Sequence, residues 1–460
     1  MSSHSFSRKS KKVPLIRTDN RIIKTEIPCP GTHQILERLD RFESKSMHGQ
    51  LPLVWDSASD FNIYDSGGNK FIDFTSAIFF ANVGHSNQRV HKYMNKALEK
   101  PIMGCYAYGN EIRAQYLEKL LKFSGSKFDK AFLMSAGTEA TEAAFKLMRM
   151  SGQAKNKRKL GIIAYENNWH GRTLAAQMMS GNLQQKEWVG YHDENIHHLK
   201  FPYPWIMNNQ SGESFFNDQL KILIQKGLDP SKDICGMMLE TFQGWGAIFY
   251  PNDFVQAAEY YCKTNNIIMT FDEMQSGFGR TGKAFGYEHY NVEPDLLCLG
   301  KGMGNGYPLS GVVGSREIMD LPEIGNMSST HSANPLGCSA GMAVLDEIND
   351  KNLIAESQRK GRILHDKLNE IKSNSKGLIS AVLGKGMIAS ILFQDPSSCL
   401  PESLIPSEIS EKCMQKGLLV VHTGRESIKI GPPLNISDDA LLEGASIIEE
   451  TIGEYIDGKK

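Results

Sequence analysis

The chain has 460 residues, too many for one small core and enough for a large α/β domain with a smaller companion. With 40% hydrophobic and 22% charged residues it has a globular composition, and 51 Lys and Arg against 52 Asp and Glu leave a formal charge of -1. That balance excludes a global field for nucleic acid or anionic membrane, and no run reaches the roughly 18 apolar residues of a membrane span.

The expected partners are therefore small molecules or another protein chain. Cysteines at 29, 105, 235, 262, 298, 338, 399 and 413 form no CxxC pair and no cluster at metal-ligand spacing, so they read as small buried hydrophobes in a reducing compartment, with no metal expected. Residues 1–20 are basic and Ser-rich without the apolar core of a signal peptide. They read as a disordered tail, with an organelle presequence as the alternative, and the expected location is cytoplasmic.

In "FNIYDSGGNKFIDFTSA" (61–77) two β-type runs flank a Gly-Gly turn, which predicts a hairpin. From about 105 to 330 short apolar runs alternate with amphipathic stretches. "KAFLMSAG", "LGIIAYEN", "ICGMMLET", "NIIMTFDE" and "LLCLG" each end in small or polar residues, and segments such as "TEATEAAFKLMRMSG" follow with helical spacing. This pattern predicts an α/β fold with a mostly parallel central sheet and helices on both faces, whose ligands gather at the carboxyl ends of the strands.

After about 340 a helical linker leads to the strands "AVLGKGMIASILFQ" and "GLLVVHTGRESIKIGPPLNI", and a last amphipathic helix starts at Asp438 or Asp439. The expected division is a tail over 1–20 and an N-terminal segment over 21–80 that joins the small domain. A large cofactor-binding domain covers 81–340, and 341–460, with the linker helix, completes a smaller α+β domain made from the two chain ends.

Lys301 stands between the apolar run "LLCLG" and a glycine-rich stretch. An amine beside apolar residues and backbone loses its proton more readily, which favours a nucleophile, although a lysine at a strand end is more often a surface residue. Asp272 and Glu273 follow another apolar run and suit either metal binding or helix capping. A pyridinium cofactor needs both kinds of group, a carboxylate for its ring nitrogen and a lysine for its aldehyde carbon. Asp272 and Lys301 end successive predicted strands, and "SAGTEATEAAFK" opens a helix with free amides and a hydroxyl suited to a phosphate.

These segments occur together with "WHGRT", "E-x-x-QG", "FDEMQSGFGRTG", "PDLLCLGKGMGNGYPLSG" and "THSANPLGCSAG", in an order that resembles the class III, or ω-, aminotransferases, pyridoxal-phosphate enzymes of fold type I. The resemblance spans about residues 30 to 455. It implies pyridoxal 5'-phosphate as cofactor, with Lys301 as the Schiff-base lysine and proton carrier, Asp272 on the pyridine nitrogen and Gln275 on the phenolic oxygen. Gly137 and Thr138 would hold the phosphate, and Trp169 would stack on the ring. His170 reads as structural, and Met274 as packing on the ring's other face.

Thr330 resembles a threonine that reaches the partner subunit's phosphate, which implies a homodimer with shared active sites. Arg172 corresponds to an arginine that holds a substrate carboxylate, and Glu240 to a supporting carboxylate. Phe79 and Phe80, with Asn82, lie where the family lines the substrate approach, or they are simply core and turn residues.

Two positions depart from the pattern. Trp245 replaces a glutamate, and Lys429 replaces the arginine before Pro432-Pro433, with Arg425 a possible substitute four residues earlier. The expected reaction is transamination between an amino acid or ω-amino donor and a 2-oxo acid, 2-oxoglutarate or pyruvate. A decarboxylating transaminase or aminomutase is the first alternative, and a non-catalytic cofactor-binding partner protein the second.

Overall fold

The computed structural model describes residues 4–100, 102–393 and 403–458. The chain divides into two compact units. One contains residues up to Asn87, Trp245–Ala247 and residues from Ala355 onward, and the other contains Gln88–Gly244 and Ile248–Ile354.

The second unit is built on a seven-stranded sheet. Its strand order is Lys130–Met134, Ser310–Gly314, Leu296–Leu299, Ile268–Asp272, Ile234–Glu240, Gly161–Tyr165 and Ile196–Leu199. The last five run parallel. Ser310–Gly314 lies antiparallel to both of its neighbours, so the sheet is largely parallel. The five apolar runs marked in the sequence all become strands. Ile196–Leu199 and Ser310–Gly314 are additions, neither carrying an apolar run that stands out before the sheet is known.

Ile234–Glu240 and Ile268–Asp272 are buried at every position, which explains their largely apolar character before the terminal acids. Helix Gly137–Lys155 buries Ala140, Ala143, Ala144, Leu147 and Met148, a stripe at helical spacing that joins the sheet's core with Met238, Cys298 and Val312. Register then fixes the strand ends. Asp272 lies opposite Glu240 on one side and Cys298 on the other, so the two carboxylates finish adjacent parallel strands at one level.

In the first unit the predicted hairpin pairs Asn62–Asp65 with Lys70–Asp73. The same sheet takes in Ile22–Ile23, Trp55–Ser59 and Ile16–Arg17, the last of which lies in the segment read as a tail. Leu418–Leu419 pairs parallel with Lys70–Asp73, so both chain ends contribute to one sheet. A four-stranded sheet orders Ala381–Lys385, Ile388–Leu392, Ser427–Ile430 and Val421–His422. The closing helix, Asp438–Asp457, is capped by Ser437, whose side chain accepts from the Ala440 amide, one residue before the expected start.

Seven cysteines are free thiols, all buried except the half-buried Cys105, and Cys399 lies outside the described residues. Among the described residues no helix is long and apolar enough to cross a membrane, and no group of three or more His, Cys, Asp or Glu is placed to hold a metal.

Candidate active site

A cavity of about 360 Å³ opens in the second unit, at the carboxyl ends of the parallel strands. Gly137, Thr138, Trp169, Arg172, Glu240, Asp272, Gln275 and Lys301, eight of the residues singled out by sequence, line it. Each arrives by a short path from the sheet. Lys301 lies two residues beyond the Leu296–Leu299 strand, Glu240 and Asp272 end their own strands, and Gly137 and Thr138 open the helix after Lys130–Met134.

Lys301 is half-buried and holds a left-handed backbone, φ 44°, uncommon for a side chain of its size. Desolvation pushes its ammonium below the ordinary lysine value, against the pull of Asp272 and Glu240, whose negative charges favour the protonated form. The site therefore makes the neutral amine easier to reach while keeping carboxylates near it.

Asp272 is almost wholly buried. Its Oδ2 receives Nδ1 of His170 at 2.9 Å, and its Oδ1 receives the Met274 amide at 3.1 Å. His170 is fixed by its own backbone. Its amide donates to Ser180 Oγ at 2.8 Å, and its carbonyl accepts from Thr141 Oγ1 at 2.8 Å. This pair is the contact the sequence did not reveal, because nothing in the spacing of "WHGRT" shows that the histidine reaches a strand end 102 residues later.

At the helix start, the Glu139 carboxylate accepts from the Ser135 and Ala136 amides at 2.9 and 2.8 Å. The first amides within the helix have no intrahelical acceptor and remain suited to an anion. Thr138 Oγ1 lies 2.6 Å from Thr173 Oγ1, which ties the helix start to the loop carrying Trp169 and Arg172. Gly171, at φ +140°, runs so close that a Cβ there would meet Thr138 Oγ1 at 2.2 Å.

Glu240 Oε2 accepts from the Trp169 amide at 2.9 Å and the Gly244 amide at 3.4 Å, and so joins two loops at the cavity wall. Trp169 is half-buried, with the Arg172 guanidinium carbon 4.5 Å from its ring. Gln275 packs against Gly244 so closely that a Cβ on the glycine would meet Nε2 at 2.5 Å. The resulting set of groups fits a phosphorylated pyridine aldehyde: an amide-rich helix end with a hydroxyl, a buried acceptor-only carboxylate, an indole and a desolvated amine.

Four other sequence candidates belong to the first unit. Phe79 is buried and Phe80 half-buried, in a turn where Ser76, Ala77, Ile78 and Phe79 all have positive φ, between 42° and 67°. Lys429 is buried on the Ser427–Ile430 strand, its Nζ 4.4 Å from the Phe79 ring centre. Half-buried Trp245 carries the guanidinium carbon of Arg425 at 4.0 Å. Thr330 is exposed in the second unit and is not among the residues lining the cavity.

A largely parallel sheet with a desolvated lysine and a buried aspartate at adjacent strand ends defines an α/β enzyme built for an aldehyde cofactor. The description aminotransferase class-III matches residues 44–452, and the chain belongs to that family, the pyridoxal-phosphate-dependent enzymes of fold type I. It is 32% identical over 402 residues to the mitochondrial acetylornithine aminotransferase of Candida glabrata, covering 85% of this chain and 88% of that one. It is likewise 32% identical over 431 residues to the probable 4-aminobutyrate aminotransferase of Bacillus subtilis, covering 91% and 97%. Among solved structures, acetylornithine aminotransferase from Elizabethkingia anophelis superposes with a TM-score of 0.76 at 27% identity, covering 92% of this chain and 99% of that one. The ornithine aminotransferase of Toxoplasma gondii, at 23% identity, TM-score 0.81 and coverage of 95% and 97%, shares the fold.

Proposed function

We propose that this aminotransferase moves an amino group between an amino acid or ω-amino donor and 2-oxoglutarate or pyruvate. The observation that carries this reading is the convergence of Lys301, Asp272 and the Gly137–Thr138 helix start on one cavity. Pyridoxal 5'-phosphate, when bound, supplies an electron sink beside the amine-bearing carbon. Gly137 and Thr138 would hold its phosphate, Asp272 would pair with its ring nitrogen, Gln275 would reach its phenolic oxygen and Trp169 would stack on its ring.

Lys301 would hold the cofactor's aldehyde carbon, and its Nζ, once released, would take the proton from the substrate's amine-bearing carbon. Its depressed basicity serves both tasks, because only the neutral amine can attack or accept a proton. Arg172 offers its guanidinium to a substrate carboxylate from the platform of Trp169, and Glu240 keeps that platform in place. Phe79, Phe80, Trp245 and Lys429 form the proposed substrate wall, where lysine provides a point charge rather than a bidentate fork.

The working form is a homodimer in which Thr330 reaches the partner's phosphate. Exposed Met103, Tyr106, Tyr108 and Ile324 support this, since they present apolar surface near that segment, where Tyr106 OH bonds Ser328 Oγ at 3.3 Å. The proposed location is the cytoplasm, and the two chain ends build the smaller domain.

Replacing Lys301 with alanine tests the reading. The expected result is loss of the visible absorbance of lysine-bound cofactor and a fall in turnover of roughly 1000-fold or more. Persistence of both would contradict it.

A further inference from the structure

Lys186 does not line the Lys301 cavity, yet it is only 5% exposed, and burial pushes its ammonium down to about 8 from the ordinary 10.5. Its hydrogen bonds go to backbone and imidazole. Nζ donates to the Met178 carbonyl at 2.9 Å and lies 3.2 Å from Nε2 of His198, which itself lies 3.1 Å from the Met179 and Ser180 carbonyls.

These three carbonyls form the open end of a helix. Leu174–Met179 closes where the Ser180 amide donates to the Ala176 carbonyl, so the oxygens of Met178, Met179 and Ser180 lie past the last intrahelical donor. Lysine and histidine side chains supply the missing partners there.

Ser180 and Gly181 in turn hold the loop that enters the cavity. Ser180 Oγ donates to the Ala176 carbonyl at 2.9 Å and accepts from the His170 amide at 2.8 Å, and the Gly181 amide donates to the Asn168 carbonyl at 2.8 Å. A Cβ on Gly181 would meet the Asn167 nitrogen at 2.0 Å, so the two backbones are already in contact. His170, seated in this way, is the residue whose Nδ1 meets Asp272 Oδ2. Every link from Lys186 to Asp272 lies in the second unit.

We propose that Lys186 is a positioning residue for the aminotransferase reaction. By holding the Met178–Ser180 backbone it fixes His170, and through His170 the direction in which Asp272 meets the cofactor's ring nitrogen. The inference rests on the role proposed above for Asp272 in the Lys301 cavity.

A second lysine separates this role from plain stability. Lys159 is 3% exposed, and its Nζ donates to the Ser231 and Asn265 carbonyls at 2.9 and 2.7 Å, but none of these three residues lines the cavity. Lys186→Met and Lys159→Met should therefore both lower the denaturation midpoint, since each strands buried carbonyls.

The test is made on the chain loaded with pyridoxal 5'-phosphate. Lys186→Met is expected to speed release of the cofactor on dilution about three- to tenfold and to raise the pH midpoint of its visible band, while Lys159→Met changes neither. The midpoint rises because a ring nitrogen less firmly met by Asp272 withdraws fewer electrons, which leaves the nitrogen that Lys301 contributes more basic. Should Lys186→Met fail to fold, Lys186→Gln, with its shorter side chain, is measured in its place with the same expectation. The proposal is overturned if release and midpoint match those of the unsubstituted chain, or if Lys159→Met alters them as much. An unsubstituted chain that takes up no cofactor strikes the reading of the Lys301 cavity, whereas normal uptake with unaltered release and midpoint strikes Lys186 alone.

Discussion

His170 donates from Nδ1 to Oδ2 of Asp272 across 2.9 Å, and its Nε2 is buried with no hydrogen-bond partner among the described residues. The histidine thus has one polar task, to orient the carboxylate that faces the cavity. Asparagine can place an amide N–H near the position of Nδ1, whereas phenylalanine cannot. His170→Asn should therefore keep most of the affinity for pyridoxal 5'-phosphate, and His170→Phe should lose about tenfold, as one hydrogen bond to a buried charge is removed. Absorbance titration of the apoprotein measures both. Equal affinities in the two variants would remove the positioning role.

Glu273, next in the chain, has a different use. Its buried carboxylate accepts from Thr241 Oγ1 at 2.7 Å, Ser276 Oγ at 2.5 Å, and the Gly286 and Tyr287 amides at 2.8 and 2.7 Å. Burial pushes its carboxyl above the usual range, and those donors pull it back. Glu273→Gln turns an acceptor-only group into one that points N–H at other donors. The expected cost is roughly 2 to 4 kcal/mol of stability, read as a lower denaturation midpoint. A midpoint unchanged within error would show that the network carries no such weight.

His198 predicts a pH dependence. Its Nε2 lies 3.1 Å from the Met179 and Ser180 carbonyls and 3.2 Å from Lys186 Nζ. Burial, followed by repulsion from Lys186, pushes its value down to about 4 from the ordinary 6.5. In this window the unfolded chain binds the proton and the folded chain does not. The stabilisation is complete above about 6.5 and is lost as pH falls towards 4, amounting to up to about 3 kcal/mol. His198→Gln should flatten that part of the stability curve measured by urea denaturation, and an unchanged slope would contradict the assignment.

What the sequence made legible follows physical locality. Lys301, Asp272 and Gly137 could be found because each stands where an apolar run meets a small or polar residue, and parallel strands must bring such ends to one edge. The antiparallel Ser310–Gly314 strand carries no comparable mark, since five short residues among glycines acquire their direction only from their neighbours. The same limit hid the reach of His170 to Asp272 and the stacking of Arg425 on Trp245, because side-chain pairs across long separations leave no periodic trace. The left-handed turn Ser76–Phe79 was hidden for another reason. It contains no glycine to announce positive φ.

The most direct test of the central claim is a stopped-flow half-reaction. Purified protein loaded with pyridoxal 5'-phosphate is mixed separately with amino acids, diamines and ω-amino acids while cofactor absorbance is followed. The account predicts rapid conversion to the pyridoxamine spectrum with at least one donor, reversed by adding 2-oxoglutarate or pyruvate. A loaded protein whose spectrum no donor converts, or a chain that binds no cofactor, would contradict it.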